Sequence, residues 1–254
     1  MVDAELPPSQ PPVSILMYHQ VGRFQSPKAH RAGYCHVRRF RAQMAYLRAF
    51  RYNVISLDQA LDGLFNGGEL PPRSVVLTFD DGYRNFRDHA FPVLRRHGFP
   101  ATVFVVADLV GKSAEWLEGD RERPPLMGPE TLREVQGGGV TLGSHTSTHP
   151  RLSRLPEAER REQIFRSKAV LEDMLQNEVR HFCYPYGDYA PGIPDLVKSA
   201  GYASGLTCIR GAANTADNPF EIPRKAISYG DNLLGYYWKL NRKHARKDSN
   251  RSSQ

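Results

Sequence analysis

The run VVLTFDDGYRNF, Val75 to Phe86, sets two acids side by side, Asp80 and Asp81, after an apolar stretch and just before Gly82. Like charges repel, so one explanation is a plain Asp-Asp-Gly turn, with the acids bonded to nearby backbone and the glycine supplying the bend. The other is a hydrolytic site. One carboxylate on a divalent cation removes much of the repulsion, while its neighbour stays ionised near an unperturbed pKa of roughly 4 and accepts a proton from water. A second pattern bears on the choice. SHTSTHP contains His145-x-x-x-His149, a spacing that on a helix sets two imidazoles one turn apart and on a loop can fold both toward one ion. Pro150 and the apolar run before the motif favour the loop. Two histidines and a carboxylate form a facial ligand set that leaves positions open for water and substrate. Each pattern alone is common in ordinary turns and loops; together they describe a metal centre for hydrolysis.

These residues lie far apart in the chain, so the elements must bring them together. VSILMY reads as a buried strand ending at His19, SVVLTF as one ending at the acid pair, VTLGS as one ending at the histidines, and VRHFCY as one running into CYPYG. ATVFVV, ASGLTC and FEIPRKAI supply further strands, and NVIS a brief one. Between them, Val37, Phe40, Met44 and Leu47 recur at helical intervals, and Ser56 with Gln59 forms a capping box that opens a second helix. Residues 83–99 read as a helix whose register Pro92 is expected to kink. GPETLREVQGG, PEAERREQIFRSKAVLEDMLQ and IPDLVKSAGY complete the helices, whereas residues 111–129 show no period and are expected to form a loop over one end of the fold. Seven or eight such βα units imply parallel strands covered by helices. With polar residues at successive strand ends and no glycine-rich dinucleotide fingerprint, the pattern favours a distorted, closed or nearly closed (β/α) barrel with its site at the carboxyl ends of the strands. Neighbouring residues on an extended chain face opposite sides. Asp80 and Asp81 therefore serve one cavity only if the chain turns there, a freedom that Gly82 supplies.

The 254 residues, 40% hydrophobic, fit one large domain. The expected organisation is a proline-rich lead at 1–12, a catalytic domain at 13–238 and a basic, disordered tail at 239–254. No run of about eighteen apolar residues suits a membrane span, and MVDAELPPSQPP lacks the features of an export signal, which predicts a cytoplasmic protein. Cys35, Cys183 and Cys208 lie far apart and read as reduced thiols. The net charge of +7 is concentrated at the end: residues 239–254 hold six Lys or Arg against Asp248, a net +5, which leaves +2 for the rest. That distribution argues against a nucleic-acid surface on the body of the protein. The tail reads as a solvated segment, with attraction to an anionic membrane surface as the alternative.

TFDDG and SHTSTHP at this separation, with ILMYH before them and YPYG after, resemble the polysaccharide deacetylases, carbohydrate esterases of the NodB type, in the style of the poly-N-acetylglucosamine deacetylase branch. The likeness runs from Val13 to Ile227. It implies a distorted (β/α) barrel, one divalent ion (Zn²⁺, with Co²⁺ or Ni²⁺ as substitutes), and removal of acetyl groups from sugars. By motif it implies Asp80 as catalytic base, Asp81, His145 and His149 as metal ligands, and the Tyr186 backbone N–H as oxyanion donor. It further implies Ser144 and Thr146 as residues that orient the loop, and Tyr18 and His19 as pocket residues. Two departures stand out. The arginine that opens the third motif in many members, bracing the base, is replaced here by Cys183 or Tyr184, and Arg224 in EIPRKAI is expected to take its place. The late leucine-x-histidine that supplies the general acid is missing. His244 is a poor match, which leaves either His19 or the water and Asp80 alone.

Tyr83, Trp116 and Tyr184 are aromatic candidates for the wall of a sugar cleft, although such side chains are more often core. The resulting expectation is a metal-dependent hydrolase that removes N-acetyl groups from an acetylated amino sugar, an oligosaccharide, or a lipid- or nucleotide-linked glycan. An O-acetyl sugar esterase or a small-amide hydrolase would keep the metal. A non-catalytic carbohydrate-binding protein would have no use for a base beside it. Nucleic acid is not an expected partner; peripheral membrane contact through the tail is the alternative to a purely solvated tail.

Overall fold

The computed structural model describes residues 12–25, 27, 30–117, 123–242 and 245–246. In chain order these form β1 (Ser14–Tyr18), β2 (Gln20–Gly22), β3 (Tyr34–His36), α1 (Val37–Ala49), β4 (Asn53–Val54), α2 (Leu57–Phe65), β5 (Ser74–Phe79), α3 (Phe91–His97), β6 (Ala101–Val105), α4 (Pro129–Gly137), β7 (Val140–Ser144), α5 (Glu157–Leu175), β8 (His181–Cys183), α6 (Ile193–Ser199), β9 (Ser204–Arg210), β10 (Ile222–Ala226) and α7 (Leu233–Asn241).

Seven strands close into a parallel ring in the order β1, β5, β6, β7, β8, β9, β10 and back to β1. The short β4 pairs with the start of β5 outside that ring, so the expected seven or eight units resolve as seven barrel strands and an appended eighth. Strand alternation sorts the apolar residues. Ile15, Val76, Phe104, Leu206 and Ile222 form a cluster with Leu57, Ala60 and Leu61 of α2. Leu16, Leu77, Val103, Leu142 and Phe182 pack with Phe40, Leu94, Leu132, Ile164 and Leu171 of the surrounding helices. Closure runs through five paired residues, from Ser14 opposite Val75 to Tyr18 opposite Phe79. One step beyond, the Asp80 N–H donates to the Tyr18 carbonyl at 2.9 Å, which sets His19 beside the acid pair.

The structure departs from the sequence expectation at three elements. The turn at Phe86–Ala90 is a π-helix running directly into α3. Pro92 has no N–H to offer the carbonyl four residues back, and a widened turn just upstream accommodates that loss. β2 and β3 form a small parallel pair outside the barrel, too short to show a period. α7 is a complete helix, capped where Asn232 Oδ1 accepts from the Gly235 N–H at 2.9 Å. The expected boundary at 238 therefore falls inside an element of the fold. Tyr236 and Leu240 are buried in the core, and Lys239 donates to the Ala226 carbonyl and pairs with Asp231. Most of the expected lead, His244 and residues 247–254 of the expected tail lie outside the described residues. No helix among the described residues is long and apolar enough to cross a membrane.

Candidate active site

Asp80 follows the last residue of β5, and the chain turns at once. Asp81 has φ 75° and Gly82 φ 72°, two left-handed residues in succession. The bend therefore begins one residue before the glycine. A non-glycine residue holds that conformation only when its surroundings compel it, and such residues gather at functional sites. Thr146, His149 and Tyr186 share it, with φ of 69°, 65° and 59°. Both carboxylates are buried but meet different partners. Arg224 reaches across the barrel from β10 and grips Asp80 with two parallel hydrogen bonds, Nη1 to Oδ1 and Nη2 to Oδ2, each 2.7 Å. Arg224 itself donates Nε to the Thr207 carbonyl at 2.9 Å and Nη1 to Thr78 Oγ1 at 3.1 Å. Burial opposes ionisation of Asp80. The guanidinium outweighs it and holds the carboxyl below its ordinary range.

Asp81 faces no such donor. Nε2 of His145 and Nε2 of His149 each lie 3.3 Å from its Oδ1. His145 Nδ1 is 2.7 Å from the Cys183 carbonyl, and a carbonyl only accepts, so Nδ1 carries the proton and Nε2 presents its lone pair to Asp81. Two acceptors thus confront each other. Asp81 Oδ1 has no hydrogen-bond partner although it is buried. A cation between them resolves the conflict, and one carboxylate oxygen with two imidazole nitrogens suits a divalent metal with open positions. Burial alone would raise the Asp81 pKa, and it is protons on the two imidazoles that would hold the carboxyl well below the usual range; with the imidazoles neutral, a cation takes their place. Burial pushes the His149 pKa down, which favours the neutral imidazole that a metal requires. Asp80, His145 and Cys183 form a second group of ligand atoms, but Arg224 lies against both Asp80 and Cys183, its Nη2 3.1 Å from the sulfur.

The loop after β7 is held from several sides. The His145 N–H donates to the Val105 carbonyl at 2.8 Å, and Thr146 Oγ1 accepts from the His149 N–H at 3.0 Å. Ser144 Oγ donates to Ser167 Oγ at 2.8 Å, tying β7 to α5. Gln163 Oε1 accepts from both the Ser147 and Thr148 N–H groups. No sequence signal marked Gln163, which sits in a run of charged residues and reads as solvated. Thr78, Thr207 and the Cys183 carbonyl went unmarked for a related reason, since their partners lie on other strands.

A cavity of about 330 Å³ opens above these groups, bounded by His19, Tyr83, Trp116, Tyr186 and Cys208 as well as the acids and histidines, a volume suited to a small ligand. His19 Nε2 is 4.0 Å from Asp80 Oδ2. The Trp116 ring stacks on His149 at 4.5 Å, and Tyr186 meets the same imidazole edge-on at 4.6 Å. Trp116 belongs to the aperiodic segment, whose described residues are pinned by bridges from Tyr83 to Leu126 and from Ser113 to Pro125. Two expected cavity residues are elsewhere. Tyr18 is fully buried between Phe40 and Phe79, with its hydroxyl donating to Gln43 Oε1 at 3.0 Å. Tyr184 is equally buried, stacked on Tyr189 and bonded to the Phe220 carbonyl at 2.9 Å. Alternation explains Tyr18: it and His19 point to opposite sides of the chain, and only His19 faces the cavity.

Residues 67–205, more than half of the chain, match the family profile described as polysaccharide deacetylase. YxkH of Bacillus subtilis (strain 168), a protein assigned to the polysaccharide deacetylases, is 26% identical over 216 residues, which cover 85% of this chain and 71% of that one. The poly-β-1,6-N-acetyl-D-glucosamine N-deacetylase of Escherichia coli (strain K12) is 32% identical over 226 residues, which cover 76% of this chain but only 33% of that much longer protein. The solved structure of IcaB from Ammonifex degensii has the same fold, with a TM-score of 0.76 at 26% identity over 91% of this chain and 98% of that one.

Proposed function

The chain belongs to the polysaccharide deacetylase family, and from that premise we propose that it is a metal-dependent hydrolase that removes N-acetyl groups from an acetylated amino sugar or oligosaccharide. The observation that carries this reading is the buried acceptor cluster of Asp81, His145 and His149 beside an ionised, separately braced Asp80. A binding protein would have no use for that second carboxylate.

Asp81, His145 and His149 would hold the ion, with Zn²⁺ the first choice and Co²⁺ or Ni²⁺ as substitutes. When bound, such an ion lowers the pKa of water to roughly 7 and polarises a carbonyl. Asp80 takes the proton released as water attacks the acetyl carbon. Each carboxylate oxygen offers two acceptor directions, and the Arg224 grip uses one on each oxygen. The same grip keeps Asp80 ionised. The Tyr186 backbone N–H donates to the oxygen that becomes negative, a contact contributing on the order of 3 kcal/mol in comparable sites. His19 gives a proton to the departing amine, which replaces the missing late histidine. Tyr83 and Trp116 form the wall against which a sugar ring packs, while Ser144 and Thr146 keep the ligand loop in place. The activity for which the Escherichia coli relative is named supports an N-acetylglucosamine unit in preference to an O-acetyl ester. Lipid- or nucleotide-linked forms of that sugar are part of the same proposal.

Acetate release tests this directly. Protein stripped with a chelator and reloaded with Zn²⁺, Co²⁺ or Ni²⁺ is expected to release acetate from β-1,4- and β-1,6-linked N-acetylglucosamine oligomers, and to leave one free amine per acetate. Metal-loaded protein that releases no acetate from either, or that acts only on O-acetylated sugars, would sink the proposal.

A further inference from the structure

Leu233, Leu234, Tyr237 and Trp238 of α7 and Phe50 at the end of α1 are large hydrophobic side chains exposed to solvent. On α7 the four recur at positions i, i+1, i+4 and i+5, one continuous stripe separate from the buried one that carries Tyr236 and Leu240. Trp238 is 47% exposed and Leu234 65%, too much for side chains whose purpose is the core. Phe50 belongs to the same face. Tyr46 packs against its ring at 4.4 Å and against Tyr236 at 6.1 Å, and Asn241 at the end of α7 donates to the Tyr52 hydroxyl at 2.9 Å.

Arginines fringe this patch. Arg242 lies over the Trp238 ring at 5.9 Å. Arg73 lies over the Tyr52 ring at 5.7 Å and donates to the Phe50 carbonyl at 3.0 Å. Arg48 and Arg51, both exposed, flank Phe50 in the chain. Among the described residues none of these four takes part in an ion pair, so their charges face outward uncompensated. The sequence beyond Arg242 adds Lys243, Arg246, Lys247 and Arg251 against Asp248.

We infer that this face docks reversibly onto the surface of an anionic lipid bilayer. A short helix with leucines and a tryptophan on one side and arginines at its rim is the composition of an element that lies in the head-group region, with its apolar stripe toward the acyl chains and its cations on anionic heads. A second copy of the chain is a poor occupant, because a two-fold contact would bring the same arginines against one another. The nine residues of α7 are too few to span a bilayer, so the contact is peripheral. The proposal does not depend on the reaction assigned above.

Flotation with two kinds of vesicle, phosphatidylcholine alone and phosphatidylcholine mixed with phosphatidylglycerol, tests the inference on the full chain. The protein is expected to prefer the anionic vesicles by about tenfold or more, and to lose that preference as salt is raised. L234Q/W238Q is expected to weaken binding by about tenfold, and R73Q/R242Q to erase much of the lipid preference while leaving the apolar stripe intact. Unchanged thermal unfolding and unchanged acetate release from a soluble oligomer would show that both variants are folded. Failure of the wild type to float with anionic vesicles would overturn the inference, as would equal flotation of L234Q/W238Q. So would a concentration-dependent dimer that L234Q/W238Q abolishes.

Discussion

Asp80 and Asp81 are adjacent in the chain and buried alike, yet the protein treats them in opposite ways. Around Asp80 the barrel provides its own counter-charge, a two-pronged Arg224 that is itself satisfied by Thr78 and Thr207. Around Asp81 it leaves Oδ1 without a hydrogen-bond partner, and the nearby His145 is locked by the Cys183 carbonyl into the tautomer whose Nε2 cannot donate. The first environment is electrostatically complete; the second is complete only with a cation from outside. A buried charge without compensation is costly, so the incompleteness at Asp81 points to a ligand. Completeness at Asp80 points to a carboxylate that must stay charged while substrate comes and goes.

The contrast can be broken from either side. Removing the ion by chelation, or a ligand by His149→Ala, is expected to abolish acetate release together with bound metal, as read by elemental analysis and an acetate assay. Full metal content in His149→Ala would remove it from the ligand set. Next in size, Asp80→Asn is expected to lower kcat by about 10² to 10⁴ with metal content unchanged. Parallel loss of the ion would mean that the two acids do not divide the work. Arg224→Met strands Asp80 without its partner and is expected to destabilise the fold by about 3–5 kcal/mol, measured by urea unfolding. Asp80→Asn in the same chain should restore part of that loss, because a neutral amide no longer needs the guanidinium. Strict additivity of the two changes would argue that the pair is not coupled.

The smallest effect concerns the next residue along β10. Lys225 is buried like Arg224 but donates to a hydroxyl, Ser14 Oγ at 2.9 Å, and burial pushes its pKa down to about 7 from 10.5. Between those values the unfolded chain holds a proton that the folded protein sheds. Stability should therefore rise with pH across that window, by at most about 1.4 kcal/mol per unit. Lys225→Met is expected to flatten the slope. An unchanged slope would assign the pH dependence to other groups.

Much of this was legible in advance. The barrel strands are short apolar runs ended by polar residues, and each strand that carries a cavity residue, from the one before His19 to the one before Asp80, was recognisable from its own composition. α7 was not. Its exposed Leu233, Leu234, Tyr237 and Trp238 blur the polar side that marks an amphipathic helix, so the chain read as a domain edge at 238. Tyr18 and Tyr184 were misplaced because a strand end does not reveal which of two neighbouring side chains turns inward.

Local chemistry was enough to determine the ligand types, the acid pair and the strand-by-strand plan, because each is written within a few consecutive residues. Tertiary structure alone decided that Arg224 reaches Asp80 across 144 residues of chain, that a carbonyl at Cys183 sets the tautomer of His145, and that Trp116 closes over His149. Those contacts exist only once the barrel has closed, and ring closure is a property of strand register that no short stretch of the chain contains.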